Sequence, residues 1–308
     1  MVVKRIRKLV MSILCLSILL LSSSTAFALD TNAIGTDTAK GDKDFPTTMS
    51  SFAFKSAGQD LYGIIYMAEG KGPHPTMMLL HGFPGNEKML DFAHALRRAG
   101  INTVFFAYRG AWGSGGNFSY SNCIEDAMAA VDFLRSPEIT AKYRIDPSKL
   151  IVSGHSMGGF VTFNLAKLLK DVNYFISYSG WNLGAYGKRL ASADAATMEK
   201  ALAWLAGSAV PLNGTSNTAL RDEILRLKDS HDLIDYVPAL ADKKILMIGA
   251  KQDIPVPMQY DHIPLYDALK KSYPNNVEEF VVDDDHAYSA TRIAVLEATL
   301  DWLKKQGF

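Results

Sequence analysis

The sequence predicts an α/β fold: a doubly wound, mostly parallel sheet with helices on both faces and a helical cap insertion. From about Thr47 onward, short apolar runs alternate with longer amphipathic ones, the order expected when each strand is followed by a crossover helix. Several short runs are apolar at nearly every position, so both of their faces must be covered, as in central parallel strands. The composition fits such a core, because 308 residues with 48% hydrophobic and 21% charged side chains exclude a disordered or disulfide-stapled chain. Basic and acidic residues balance at 32 each, which gives no electrostatic reason to expect a nucleic acid or an anionic membrane surface as partner.

Residues 1–28 read as a secretory signal peptide. Lys4, Arg5, Arg7 and Lys8 form a basic start, Leu9 to Leu21 an apolar run broken by Ser12 and Ser17, and Ala26-Phe27-Ala28 a small-residue cleavage motif with the cut after Ala28. The run is shorter than the roughly 18 residues that span a bilayer, so no stable membrane span is expected after cleavage; retention as an anchor is the alternative. A secreted or extracytoplasmic location follows. Cleavage removes four basic side chains and no acidic one, leaving 28 basic against 32 acidic residues. Cys123 is then the remaining cysteine, so no intramolecular disulfide can form.

Residues 29–46, rich in Thr, Asp, Lys and Gly, read as a flexible leader, and 47–308 as one domain. Ser51 to Lys55 and Leu61 to Ala68 suggest a hairpin across Ala57-Gly58-Gln59-Asp60. Further strands are expected at Thr76 to Leu80, Ile101 to Ala107, Leu150 to Ser153, Tyr174 to Tyr178, Ile245 to Ile248 and Val277 to Val282. Helices are expected at Lys88 to Ala99, Ile124 to Leu134, Phe160 to Leu169, Gln259 to Lys271 and Thr291 to Lys305, the second capped by Asn122 with Glu125. Residues 181–243 interrupt the alternation, with helical windows at Ala195 to Leu205 and Ala219 to Leu227. So long a stretch is unsuited to a loop, and reads as a helical insertion over the sheet's edge. It either caps a substrate pocket or elaborates the fold away from any site.

Gly154-His155-Ser156-Met157-Gly158-Gly159 sits between an expected strand and an expected helix. There a G-x-S-x-G sequence makes a turn too sharp for larger flanking residues and pushes the serine hydroxyl above the sheet. The backbone N–H of Met157 would then face an oxyanion at a helix N-terminus. A serine nucleophile needs a base and the base an orienting carboxylate. Among seven histidines, His286 follows the last strand, so its loop reaches the same sheet edge as Ser156. Asp253 follows the preceding strand and is the favoured carboxylate, with Asp283, Asp284 and Asp285 as alternatives. His81-Gly82-Phe83-Pro84-Gly85 follows the first central strand and offers the Phe83 N–H as second oxyanion donor, with His81 in a structural role. Phe83, Trp112, Trp181 and Tyr288 fall at strand ends, where either a substrate pocket or core packing would use them. Histidine spacing suggests no metal site, and neither a phosphate-cradling nor a dinucleotide motif occurs, so no cofactor is expected.

The combination HGFPG, GHSMGG, the Asp253 loop and the His286 loop resembles the α/β-hydrolase superfamily over about residues 76–305. Tyr108 to Gly116 is similar to a loop of prolyl-oligopeptidase-like and serine-aminopeptidase-like members, whereas His155 and Met157 around the serine are similar to esterases and lipases. No propeller domain precedes the core, and no paired-glutamate signature is found. The resemblance implies a serine hydrolase acting on a small-molecule ester or a short peptide. Carboxylester cleavage is the leading expectation, peptidase or amidase action the alternative, and a non-catalytic binding protein on the same fold the remote one.

Overall fold

The computed structural model describes residues 29–37 and 41–308. The export signal expected over 1–28 lies outside the described residues. Eight strands form one sheet: β1 (Thr48–Ser56), β2 (Gln59–Met67), β3 (His74–Leu80), β4 (Asn102–Phe106), β5 (Ile145–His155), β6 (Tyr174–Tyr178), β7 (Lys244–Ala250) and β8 (Val277–Val282). Their order is β1-β2-β4-β3-β5-β6-β7-β8. β1 and β2 form the expected hairpin and β2 pairs antiparallel with β4, while the remaining pairs are parallel. Ala57 and Gly58, both at positive φ, turn the hairpin in two residues rather than four.

The helices are α1 (Leu90–Arg98), α2 (Tyr120–Arg135), α3 (Pro137–Tyr143), α4 (Met157–Leu168), α5 (Leu183–Ala191), α6 (Ala195–Ala209), α7 (Asn217–Leu227), α8 (Met258–Asp261), α9 (Ile263–Ser272) and α10 (Arg292–Lys305), with 3-10 turns at Thr31–Ile34 and Leu233–Leu240. Strand alternation assigns them to the two faces. Met77 and Leu79 of β3 join Phe92, Leu96, Leu300 and Trp302 from α1 and α10 in one core layer. Met78 and Leu80 join Val131, Phe160 and Leu265 from α2, α4 and α9 in the other. Among the described residues, no helix is long and apolar enough to cross a membrane.

Three expectations differ from the structure. Part of the leader is packed: Leu29 and Ala33 are buried between α1 and α10, and Arg98 donates to the carbonyls of Ala33 (2.6 Å) and Ile34 (3.2 Å). Two small apolar side chains four residues apart suffice to dock a turn that lacks wider periodicity. The cap of α2 is Ser119, whose hydroxyl accepts the Asn122 N–H at 3.1 Å, and Asn122 stands inside the first turn. The helix starts early because Glu223 of α7 accepts the N–H groups of Tyr120 and Ser121, each at 2.9 Å, taking over two donors that a helix start leaves unpaired. The insertion holds α5 and the 233–240 turn in addition to the two expected helices.

Candidate active site

The turn from β5 into α4 sets Ser156 at φ 58° and ψ −119°, a region that side-chain-bearing residues rarely occupy. Its neighbours explain why it is tolerated there. A Cβ on Gly154 would stand 2.2 Å from the Gly158 carbonyl oxygen, one on Gly158 2.0 Å from that of Leu80, and one on Gly159 2.5 Å from the Gly180 Cα. The serine backbone is also pinned: its N–H donates to Tyr178, and its carbonyl accepts from Gly159 and Trp181, all at 2.9 Å. Helix α4 begins at Met157, so the N–H of Met157 belongs to its unpaired first turn. Gly82 lies against Ser156, an added Cβ there falling 2.9 Å from the serine Cβ, and carries the chain to Phe83 on the same pocket wall. Neither the Phe83 nor the Met157 N–H donates to an acceptor among the described residues.

Asp253 and His286 meet. The His286 Nδ1–H donates to Asp253 Oδ2 at 2.7 Å, and the buried carboxylate also accepts the Val256 N–H at 2.8 Å through Oδ1. This leaves the His286 Nε2 for the pocket that Ser156 and His286 both line. The Ser156 hydroxyl makes no hydrogen bond to that ring; such contacts often tighten only around substrate. The alternative carboxylates are used in building the histidine loop. Asp284 accepts from Ala290 and Thr291, Asp285 from Ala287 and Ser289, and Asp283 from the Gln252 side chain.

Two other histidines are buried against the site. His81 donates Nδ1–H to the Gly82 carbonyl (2.7 Å), and burial lowers its pKa to about 4, so it is a neutral strut. His155 donates Nε2–H to the carbonyl of His286 at 2.8 Å, its ring 4.5 Å from the His286 ring. Burial, then the neighbouring His286, lowers the His155 pKa to about 3. The sequence offered His155 only as an esterase-like and lipase-like feature of the motif; its link to His286 spans 131 residues and leaves no local signal.

The pocket has a volume of about 370 Å³. Phe83 and Trp181 line it, as the sequence suggested, together with Tyr120, Tyr186 and Trp204 and the apolar run Ile254-Pro255-Val256. Trp112 does not. Its ring lies against the Pro84-Gly85 turn, held by an indole N–H to the Pro84 carbonyl (2.7 Å) and by Lys88 over its face at 4.3 Å. Tyr288 does not either: it is fully buried behind His155, its hydroxyl donating to the Ile248 carbonyl at 3.1 Å. The insertion does reach the pocket, through Tyr186 of α5, Trp204 of α6 and Ile224 of α7. Among the described residues, no three His, Cys, Asp or Glu side chains converge as metal ligands.

Known proteins are similar to this chain in sequence or in fold. The sequence profile of the family described as "Serine aminopeptidase, S33" matches residues 71–251. An uncharacterised protein of Mycobacterium tuberculosis is 29% identical over 110 residues, 35% of this chain and 37% of that one. The lysophosphatidylserine lipase of Danio rerio is 30% identical over 109 residues, 34% of this chain and 27% of that one. The matched segment thus spans 37% of the first of these relatives and 27% of the second, well under two thirds of either. In structure, Est1E from Butyrivibrio proteoclasticus superposes over 83% of this chain and 98% of its own, with a TM-score of 0.64 at 17% identity. The acylaminoacyl peptidase of Pyrococcus horikoshii covers 84% of this chain with 41% of its own, at a TM-score of 0.63 and 17% identity. With the profile extending over more than half of its length, the chain belongs to the serine aminopeptidase S33 family of the α/β-hydrolase superfamily.

Proposed function

We propose that this protein hydrolyses carboxylic esters bearing a bulky apolar acyl group. Ser156 Oγ attacks the acyl carbonyl while His286 Nε2 takes its proton, and the oxyanion is received by the N–H groups of Phe83 and Met157. Asp253 holds the imidazole in the required tautomer and stabilises its charged form. Collapse expels the alcohol, protonated by His286; water, deprotonated by the same ring, then releases the acid and restores Ser156. On the pattern of residues 1–28 alone, we place this activity outside the cytoplasm.

The observation that carries the ester reading is the pocket lining. Apart from Ser156 and His286 it is tyrosine and apolar, with no carboxylate or cation on the wall among the described residues. Desolvating the free α-ammonium of a peptide there, without a counter-charge, would cost several kcal/mol, whereas an apolar acyl chain gains from burial. Peptidase or amidase action is the second reading, favoured by the family's description as serine aminopeptidase.

The test is turnover of aryl and aliphatic p-nitrophenyl esters against aminoacyl anilides. Apolar esters are expected to be preferred; preference for the anilides would reverse the ranking. Ser156→Ala should lower turnover on the order of 10⁴-fold or more and abolish fluorophosphonate labelling. Labelling that survives in that variant would remove Ser156 from its role.

A further inference from the structure

Asp261 closes helix α8, eight residues beyond Asp253, and its carboxylate is fully buried. Oδ1 accepts the Asn182 N–H at 2.9 Å, and Oδ2 lies 3.5 Å from the Arg189 guanidinium, a long contact from a partly exposed partner. Asn182 directly follows Trp181, whose N–H donates to the Ser156 carbonyl at 2.9 Å. Two successive peptide N–H groups therefore tie the serine turn and the segment after Asp253 to one short stretch of chain. Between Asp253 and Asp261 lie Ile254, Pro255 and Val256, which wall the pocket, and Val256 also holds the Asp253 carboxylate. The span from Asp253 to Asp261 is thus fixed at one end to His286 and at the other to Asn182.

We propose that Asp261, which touches no reacting atom, is the positioning residue that sets the distance between the Asp253–His286 pair and Ser156, and that it does so in its ionised form. The proposal rests on the reading of Ser156 as nucleophile. The charges facing Asp261 are Arg189 from α5, which favours ionisation, and Asp253, which opposes it. Tyr186 of α5 feels its charge, while its neighbour His262 is occupied with Glu279 of β8 at 2.8 Å. Burial is the largest influence and pushes the carboxyl up to about 6, against an ordinary 3.8. Protonation removes the attraction to Arg189 and the repulsion from Asp253 together and weakens the charge-assisted bond from the Asn182 N–H, so the segment is held less firmly in mildly acidic solution.

The experiment is the pH dependence of the rate at which a fluorophosphonate labels Ser156, measured on the purified chain, so that substrate preference does not enter. In the wild type, the acid limb of the rate should include an ionisation at about pH 6 that belongs to Asp261. Asp261→Asn keeps the acceptor for Asn182 but not the charge; labelling should drop about tenfold at pH 8 and the ionisation at about pH 6 should vanish from the acid limb. Arg189→Gln, which leaves the carboxylate in place, should move the steeper part of the limb to higher pH. An unchanged limb in both variants, each with a native melting curve, overturns the proposal. Absence of labelling in the wild type at every pH overturns the nucleophile reading and this proposal with it, whereas normal wild-type labelling with unaltered variants overturns this proposal alone.

Discussion

His155 is the residue whose position says most about the site's construction. With its pKa lowered to about 3, it is neutral in anything but strong acid, a standing donor to the His286 backbone carbonyl that steadies the His286 loop. His155→Ala is expected to lower kcat about 10²-fold with little change in KM, the loss associated with roughly 1 Å of misplacement. Kinetics on the preferred ester check this, and an unaltered kcat would assign His155 to packing alone. The convergence of Ser156, Asp253 and His286 at one edge of the sheet was legible because each follows a strand, and strands are visible as apolar runs. The aromatic wall was legible only in part. Trp181 enters the pocket while Trp112 and Tyr288 do not, because ring direction is set by distant partners, the Pro84 carbonyl for one and the Ile248 carbonyl for the other.

At the level of elements, glycine separates the helices the sequence revealed from one it hid. Helix α5 carries Gly184 and Gly187, and both lower helix propensity. Both are needed: a Cβ on Gly184 would lie 2.3 Å from the Asp232 nitrogen, and one on Gly187 2.7 Å from the Lys228 Cβ. Tertiary approach thus overrides local preference, and the apolar period alone underestimates the insertion. The same reasoning yields a contrast within the chain. Gly158→Ala drives its Cβ to 2.0 Å from the Leu80 carbonyl oxygen and is expected to cost about 3 kcal/mol, lowering Tm by roughly 6–12 °C. Gly207→Ala in α6, with nothing within 4 Å, should instead stabilise by about 0.5–1 kcal/mol. Thermal melts of the two variants decide; a tolerated Gly158→Ala would contradict the close packing of the serine turn.

For the whole molecule, the buried histidines make stability depend on pH. Unfolded, His81 and His155 bind protons below about pH 6.5, whereas in the fold they remain neutral down to about 4 and about 3. Their contribution is complete above about pH 6.5 and falls as the pH drops, by about 1.4 kcal/mol per pH unit for each histidine. Asp261 acts in the opposite sense, its carboxyl holding a proton up to about pH 6 in the fold and about 3.8 outside it. Two ionisations against one leave a loss of about 1.4 kcal/mol per pH unit between pH 6 and 4 from these three groups. Urea unfolding at pH 7, 5.5 and 4.5 measures it, and a flat profile would contradict neutral burial of the two histidines.

The insertion between β6 and β7 is clasped at its base. Asn182 Nδ2 donates to Asp232 Oδ1 at 2.8 Å, and the Gly184 N–H donates to the His231 carbonyl at 3.1 Å, so the chain returns to within a hydrogen bond of where it left. What stands above that clasp can change length cheaply, since doubling a loop costs only about 0.6 kcal/mol in closure entropy. The sheet beneath is held by its own pairing. Residues 183–231 thus hang from one clasp, but Glu223 also holds the start of α2 and Arg189 faces Asp261, so a different set of helices grafted onto the Asn182–Asp232 clasp would reshape the pocket without disturbing the sheet only if those two contacts were kept.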